Sequence, residues 1–529
     1  MYEQVLDPLF GSLGWSALAA ALPLLVLFVL LGLVRMAAWK ASLIALAVSL
    51  AIAVFIYPMP VGPALLSATL GAAFGFFPIL WIVINAIWVY NMTVTTGHFD
   101  VLQRTFSRVS GDRRIQAVII AFCFGALLEA LAGFGTPVAI TTVMLLALGF
   151  TPITSAVVAL VANTAPVAFG ALASPLVTLA SVTDLPLSEL GAMTGRQTPI
   201  LAVVVPIVLV GIIDGLKGVR ETLPATLTCG ITFGLAQFAA ANYISVPLAD
   251  IVAALVAAGA TVLLLKVWTP QGAAEPDTAA HTDSRAEIVR AYAPYLIIIA
   301  VFVVAQIGPV GDLLDAVTVK FNWPGLHVAN AAGEELSLTD FKFNWLTSAG
   351  SLLLISGLLS IAAIRISGRD ALDRYLGTYA QLKWPIVTVM SVLAIAYVMN
   401  ASGQTATLGN WMAGAGGVFA LIAPILGWLG TAVTGSDTSS NSLFGALQVA
   451  AANKVGIDPV LAAASNGSGG VLGKMISPQN LAIAAGAVGM SGEEGDIFRR
   501  VLPWSVVFLV AMCALAYLQS LPVLAWMVP

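Results

Sequence analysis

Charged residues are scarce in this chain. Asp, Glu, Lys and Arg together make up 9% of its 529 residues, whereas hydrophobic residues make up 59%. A soluble domain typically carries about 25% charged residues, so this composition excludes an ordinary soluble protein. We predict an all-α polytopic membrane protein that contacts the lipid bilayer and has no nucleic-acid partner.

Cysteine and histidine are equally rare, with three of each. The cysteines lie in apolar runs, and the histidines lie in polar connections: Cys123, Cys229 and Cys513; His98, His281 and His327. This placement argues against a disulfide framework and against histidine-based metal, haem or catalytic sites inside the membrane. No nucleotide-binding or hydrolase motif occurs in a supporting context. We therefore expect no metal ion, no cofactor and no enzymatic activity.

Apolar segments of membrane-spanning length recur along the chain, where about 20 apolar residues suffice to cross a bilayer. The clear candidates lie near residues 15–34, 40–57, 64–90, 197–214, 223–241, 247–266, 292–308, 346–366, 384–400 and 501–521. Two longer apolar regions, 115–181 and 412–490, are interrupted by glycine, proline and polar residues. We predict that these two regions contain broken helices or re-entrant hairpins.

Lysine and arginine concentrate in alternate connections, a bias that marks the cytoplasmic side. The connection 309–345 is acidic, which indicates the opposite side. Every basic connection lies in the cytoplasm only if 115–181 and the region from 412 onward cross in opposite directions. The pattern predicts about 12 net crossings, with both termini extracytoplasmic and an inverted-topology repeat.

The same pattern divides the chain into two transmembrane halves. The N-terminal half covers 1–266 and the C-terminal half 292–529, each with one interrupted region. A polar segment bearing proline and glycine, 267–291, joins them. We predict that it is a flexible cytoplasmic linker.

The two interrupted regions share a sequence skeleton. Segments 163–175 and 466–478 place the same residues at the same spacing: Asn163 and Asn466, Gly170 and Gly473, Ser174 and Ser477, Pro175 and Pro478. Matching breaks in two halves point to a transporter's substrate site. A helix restarting after each asparagine would aim its positive end at an anion. We predict facing tips that bind a carboxylate, formed by Asn163, Thr164, Ser465, Asn466 and Gly467. An accidental match between glycine-rich segments is the alternative.

Three charged side chains of the interrupted regions are functional candidates. Glu129 is costly at membrane depth, which makes it a functional candidate for carrying a proton; a structural neutral acid is the alternative. Asp437 lies in the polar block 434–442 and is the second proton candidate, unless that block is a surface loop. Lys474 either neutralises a substrate carboxylate or extends to the membrane surface. Hydroxyl and amide groups of Ser436, Thr438 and Asn441 suit a small hydroxylated anion.

Several blocks resemble the L-lactate permease family over nearly the whole chain. They are Phe122–Gly135, Asn163–Gly170, Gly427–Gly430, Thr434–Asn441 and Gly473–Gln479. The resemblance implies a plasma-membrane symporter of L-lactate, D-lactate and glycolate with a proton. It also implies kinship with carriers whose paired hairpins have Ser-Asn-Thr tips. Here the tips, Ala162–Thr164 and Ser465–Gly467, each depart at one position, which puts a sodium site in doubt and is compatible with proton coupling.

We therefore predict a proton-coupled 2-hydroxymonocarboxylate symporter with alternating access around a midplane site. Its partners are the small monocarboxylate substrate and the coupling proton. In this scheme Ser436, Thr438 and Asn441 bind the 2-hydroxyl group. One proton moving with one lactate is electroneutral. The alternatives are a sodium-coupled carboxylate transporter of the same architecture and, from a different class, a membrane-embedded enzyme acting on a lipid.

Overall fold

The computed structural model describes residues 1–107, 109–133, 135–270, 283–305, 307–331, 333, 335–336, 339–490 and 493–529. Helices dominate these residues, and the strands are few and short. The central part of the predicted linker, including His281, lies outside the described residues. The prediction of an all-α polytopic membrane protein is confirmed.

The helices of the N-terminal half precede residue 267. They are α1 (Leu13–Phe28), α2 (Ala38–Phe55), α3 (Val61–Phe74), α4 (Trp81–Thr95), α5 (His98–Ser107), α6 (Arg113–Val118), α7 (Gly125–Ala132), α8 (Thr136–Ala147), α9 (Pro152–Ala162), α10 (Gly170–Thr183), α11 (Leu187–Ala239) and α12 (Ala249–Leu265). Short π-helical or 3₁₀ segments continue several of them, at Val29–Leu33, Gly75–Leu80, Ile119–Phe124, Val167–Phe169, Ala240–Ile244 and Val246–Leu248.

The C-terminal half contains the remaining helices and most of the strand residues. The helices are α13 (Arg285–Ala305), α14 (Gly308–Asp315), α15 (Ala349–Ala363), α16 (Gly368–Ser402), α17 (Gln404–Met412), α18 (Phe419–Thr434), α19 (Asp437–Val455), α20 (Pro459–Lys474), α21 (Pro478–Ala487) and α22 (Glu494–Gln519), with 3₁₀ segments at Ala413–Val418 and Ala525–Met527. The strands of the chain are β1 (Tyr2–Glu3), β2 (Val319–Asn322), β3 (Val328–Ala329) and β4 (Asp340–Phe343).

Ten helical segments of the described chain are long and apolar enough to cross a membrane. The number becomes eleven if the pair Pro152–Ala162 and Val167–Thr183, which bends by 62°, forms one broken span. These segments overlap most of the spans predicted from the sequence. The number of net crossings and the inverted relation between the two interrupted regions stay predictions.

Helix α11 is two antiparallel limbs. Its 53 residues would extend about 80 Å if straight, far beyond the thickness of a bilayer. The chain reverses at Gly215, whose φ of 63° and ψ of −161° form a conformation that glycine adopts readily because it has no Cβ. Gly230 then packs on the backbone of Val203, and Gly234 packs on that of Pro199. The two predicted spans 197–214 and 223–241 are therefore these two limbs.

The short strands join the N-terminus to the acidic connection. Strand β1 pairs in parallel with β3, and β2 pairs antiparallel with β4. The Gln4 Nε2 atom donates to the carbonyl oxygen of Asn400, 2.6 Å away, at the end of α16. The N-terminus and the connection 309–345 thus lie on the same face, as the predicted topology requires; that this face is extracytoplasmic stays a prediction.

The two interrupted regions contain helices in the same order. In the first, α7 and α8 flank one break and α9 and α10 flank another; in the second, α18, α19, α20 and α21 take these places. Each region turns at its centre on a glycine with positive φ, Gly149 or Gly456. Each then restarts with proline in the first helical turn, at Pro152 or Pro459. The sequence has the same spacing in both regions, with each glycine three residues before the proline.

The break predicted at Asn466–Gly467 is wrong. Helix α20 runs without interruption through these residues, and the chain breaks only after Lys474, before Ser477 caps α21. The reason is packing, because the glycines of α18 and α20 let the two helices approach closely. Gly427 lies on the Asn466 carbonyl group, Gly469 on Pro424 and Gly473 on Trp428. In the first region, by contrast, the chain does break between Ala162 and Val167.

We expect Gly427→Ala to destabilise the protein, because the added Cβ would overlap the carbonyl oxygen of Asn466. Overpacking of this kind costs about 1–3 kcal/mol. Thermal unfolding of the purified protein in detergent measures the effect. Gly259→Ala is the matched control, since this helical glycine has nothing within 4 Å of an added Cβ. Equal unfolding temperatures for the two variants would contradict close packing of α18 on α20.

Candidate functional site

A cavity of about 1300 Å³ opens from one face and ends at the interrupted regions. Its inner wall includes Glu129, Asp437 and Lys474, and its mouth includes Arg35 and Trp384. Arg35 follows α1, at the end of that helix remote from β1. The cavity therefore opens on the face opposite the strands, which the sequence predicts to be cytoplasmic.

A buried ion pair lies on the inner wall. The Lys474 Nζ atom is 2.6 Å from Oε1 of Glu129. The Asn163 side-chain amide donates to the other carboxylate oxygen, Oε2, across 2.9 Å. Glu129 and Lys474 are 3% and 6% exposed, so both charges are removed from bulk solvent, and the contact links the two interrupted regions. Lys474 does not extend to the membrane surface.

The Glu129 side chain occupies space that is free because its neighbour Gly170 has no side chain. An added Cβ on Gly170 would lie 2.8 Å from Oε1 of Glu129. Gly170 belongs to the skeleton that segments 163–175 and 466–478 share, so this close approach accounts for one of its positions. Helix α7 ends at Ala132, just after Glu129, and Gly133 and Gly135 take positive φ in the break that follows.

Asp437 begins helix α19 on the same wall. Its Oδ1 atom accepts from the Thr431 hydroxyl group at 3.3 Å, and its Oδ2 atom accepts from the Asn441 amide at 3.5 Å. Gly470 provides the space for this carboxyl group. Asp437 also lies close enough to Lys474 for their charges to interact. Because Asp437 is 3% exposed, the polar block 434–442 is not a surface loop.

Two capped helix N-termini border the cavity, beside the start of α10 that follows the break at Asn163. The restart predicted after Asn466 is absent, because α20 is continuous there. Ser436 caps α19 by accepting from the Ser439 backbone amide, and Ser477 caps α21 by accepting from that of Asn480. The first turns of both helices line the cavity. The positive ends of these helices favour an anion there. These two helix starts lie at the breaks at 435–436 and 475–477, and that such helix ends bind an anion stays a prediction.

Several predicted binding residues point elsewhere. The Asn466 amide donates to Oδ1 of Asn441 at 2.9 Å, and Asn466 accepts from Gln448 at 3.1 Å. Ser465 accepts from Gln197 at 3.0 Å, and the Thr164 hydroxyl group donates to the Val161 carbonyl group. Gly467 packs beside Asn441. The second predicted tip is wrong, because α20 is continuous at Asn466, whereas Asn163 lies in a break and bonds to Glu129. That these residues bind a carboxylate stays a prediction.

The predicted residues that do meet at the cavity are Glu129, Ser436, Asp437, Thr438 and Lys474. Other polar residues on its wall, among them Ser174, Ser439 and Gln479, were not among the predicted site residues. Ser174 was available as part of the shared skeleton. Gln479 follows Ser477–Pro478, a pattern typical of a helix start.

Sequence reasoning also missed a buried carboxyl group behind the break at Asn163. Asp250 is fully buried and accepts from the Gln237 amide at 2.9 Å. Gln237 also donates to the Ala165 carbonyl oxygen, 3.3 Å away. The signal was an acidic residue near the start of the predicted span 247–266.

Broken helices that border a buried, charged cavity open to one face are the architecture of a secondary transporter. Comparison with known sequences agrees: the family model for L-lactate permease matches residues 16–522. The L-lactate permease of Bacillus subtilis is 40% identical, with 100% of both chains covered. The glycolate permease GlcA of Escherichia coli is 39% identical, with 96% of each chain covered. The chain belongs to the L-lactate permease family.

Family membership makes the chain a permease, a multi-pass membrane transporter, and confirms the resemblance seen in the sequence. Two solved transporter structures are also similar in part. Neisseria gonorrhoeae MtrF is 13% identical with a TM-score of 0.45, covering 85% of this chain and 82% of its own. Alcanivorax borkumensis YdaH is 15% identical with a TM-score of 0.32, covering 84% and 98%.

We expect Lys474→Met to destabilise the protein by about 3–5 kcal/mol at neutral pH, because it leaves Glu129 as an unpaired buried charge. Adding Glu129→Gln removes that charge, so the double variant should recover most of the loss. Thermal unfolding in detergent measures both variants.

Lys454→Met is the control for this series, since Lys454 is an exposed lysine in the last turn of α19. It should unfold at the wild-type temperature. A double variant no more stable than Lys474→Met would show that the two side chains are not energetically coupled.

Proposed function

We propose that the chain imports L-lactate and related 2-hydroxymonocarboxylates, D-lactate and glycolate, across the plasma membrane by proton symport. The observation that carries the proposal is the buried contact between Lys474 and Glu129 on the cavity wall. The names of the relatives, L-lactate permease and glycolate permease, support the class of substrate.

Lys474 is the group best suited to receive the substrate carboxylate. Its ammonium group has three N–H donors and no acceptor. One of its present partners, Glu129, is itself a carboxylate, so a substrate carboxylate would replace it with a group of the same charge and chemistry. The N-terminal turns of α19 and α21 border the same cavity and add two positive helix ends.

Displacement of Glu129 from Lys474 couples substrate to proton. A carboxylate that loses its cation in a buried site is strongly destabilised and becomes neutral by taking a proton. Before binding, the pair carries no net charge; afterwards Lys474 faces the substrate anion, and Glu129 is protonated. The site stays neutral in both states, which suits movement through the low-dielectric interior. Asp437, on the same wall, is the second candidate for the proton.

The 2-hydroxyl group has partners at the start of α19. Ser436 and Thr438 line the cavity beside Asp437, and we assign them to this hydroxyl group. Asn441 supports them from behind, because its amide donates to both Asp437 and the Pro175 carbonyl oxygen. Asn163 keeps a role through its hydrogen bond to Glu129.

We use the side on which the cavity opens to assign the structure to one state of the alternating-access cycle. The cavity opens at the face of Arg35 and Trp384, predicted to be cytoplasmic, so we assign it to the inward-open state. Radiolabelled L-lactate uptake into proteoliposomes tests the function, with a pH gradient and a sodium gradient imposed separately. We expect accumulation with the pH gradient and little dependence on membrane voltage, because the transported complex is neutral. Accumulation with sodium alone would replace proton symport by the sodium-coupled alternative.

Glu129→Gln should separate transport from proton coupling. Glutamine is neutral and similar in shape, so lactate exchange between equal pools should persist while accumulation driven by a pH gradient is lost. Asp184→Asn is the matched control, an exposed acidic residue at the end of α10, and should behave as wild type. Normal pH-driven accumulation by Glu129→Gln would remove Glu129 from the proton pathway.

A further inference from the structure

A series of hydrogen-bonded polar side chains lies behind the break at Asn163–Pro166. The proposed transport cycle does not use it. The Gln237 amide group donates to Oδ1 of Asp250 and to the carbonyl oxygen of Ala165. Its own oxygen accepts from the Thr198 hydroxyl group at 3.3 Å. Asp250, Gln237 and Thr198 are each at most 1% exposed. The chain of hydrogen bonds ends on the backbone of the break itself.

The environment of Asp250 suits a neutral acid. Its Oδ2 atom is buried without a hydrogen-bond partner among the described residues. The hydrogen bond from Gln237 is to the other oxygen. A carboxylate with this little support is strongly disfavoured in a buried site, whereas a proton on Oδ2 removes the charge.

The elements packed around α12 bring one other carboxylate into range. Helix α12 packs on α7, α10 and α11, and from α7 the charge of Glu129 acts on Asp250. On α11, Arg196 is bonded to Asn242 and to the Met527 carbonyl oxygen, and at the end of α10 Asp184 is exposed. The Cys123 and Cys229 thiols contact each other.

The break at 163–166 is thus held on two sides. On the cavity side the Asn163 amide holds Glu129, and on the far side the Ala165 carbonyl group is held by Gln237. We propose that Asp250 carries a proton in the working transporter and, through Gln237, positions the break so that Asn163 presents Glu129 to Lys474. Asp250 is a positioning residue, and its ionisation switches the coupling site off. This inference rests on the proposed proton symport.

Asp250→Asn tests the inference, because asparagine keeps an acceptor for Gln237 and cannot ionise. Lactate exchange is measured with equal pH on both sides of the membrane, so that no gradient drives it. One pH unit above its alkaline midpoint, wild-type exchange should be about tenfold below its maximum, as for a single titrating group. Asp250→Asn should match wild type at acidic pH and keep its activity further into the alkaline range. Asp184→Asn should follow the wild-type profile.

Two results with folded Asp250→Asn would reject the inference: a midpoint equal to that of wild type, or no exchange at any pH, which would mean that Asp250 acts as an ion. Gln237→Leu gives a second, independent test, since it cuts the link and leaves Asp250 in place. It should exchange slowly even at acidic pH and lose the alkaline decline, and a wild-type rate and profile would overturn the inference. Proton symport itself fails separately, if a pH gradient drives no accumulation of lactate by the wild-type protein.

Discussion

A charge inside a membrane protein needs a partner, and the centre of this molecule is built around that constraint. Glu129 comes from the first interrupted region and Lys474 from the second, and each is the other's counter-ion. Bringing them together requires the two regions to pack face to face at the cavity floor. The break beside Asn163, the glycine facing Glu129 and the capped starts of α19 and α21 all border this contact.

Close helix packing makes such a polar interior possible. Between α18 and α20, glycines let the backbones meet, which seals the amide network of Asn441, Gln448 and Asn466 away from lipid. Glycine serves a different purpose at the breaks, where Gly133, Gly135 and Gly435 adopt positive φ. The same residue type therefore stiffens one helix pair and interrupts another, according to whether a neighbouring backbone lies against it.

Much of this could be predicted from composition and spacing. The helical membrane class and most of the spans followed from residue types, and so did the choice of Glu129, Asp437 and Lys474 as separate functional candidates. The contact of Glu129 with Lys474 did not, because 345 residues separate them and local pattern carries no distance information. The continuity of α20 through Gly467 was missed because a glycine-rich segment reads equally as a break or a packing face. Asp250 was missed because a single acid near a span end looks like a boundary residue.

The resting partner of Lys474 has a further consequence, which concerns affinity. Glu129 is a carboxylate tethered next to the ammonium group, so its effective concentration there far exceeds that of any free anion. A substrate that binds Lys474 must therefore compete with an occupant that never diffuses away. In the proposed cycle, protonation of Glu129 weakens its competition for Lys474, so acidification would tighten substrate binding without adding any contact. The apparent affinity for the substrate would then depend on the local proton concentration. A weakly bound substrate would be released on the side of the membrane where Glu129 regains its charge.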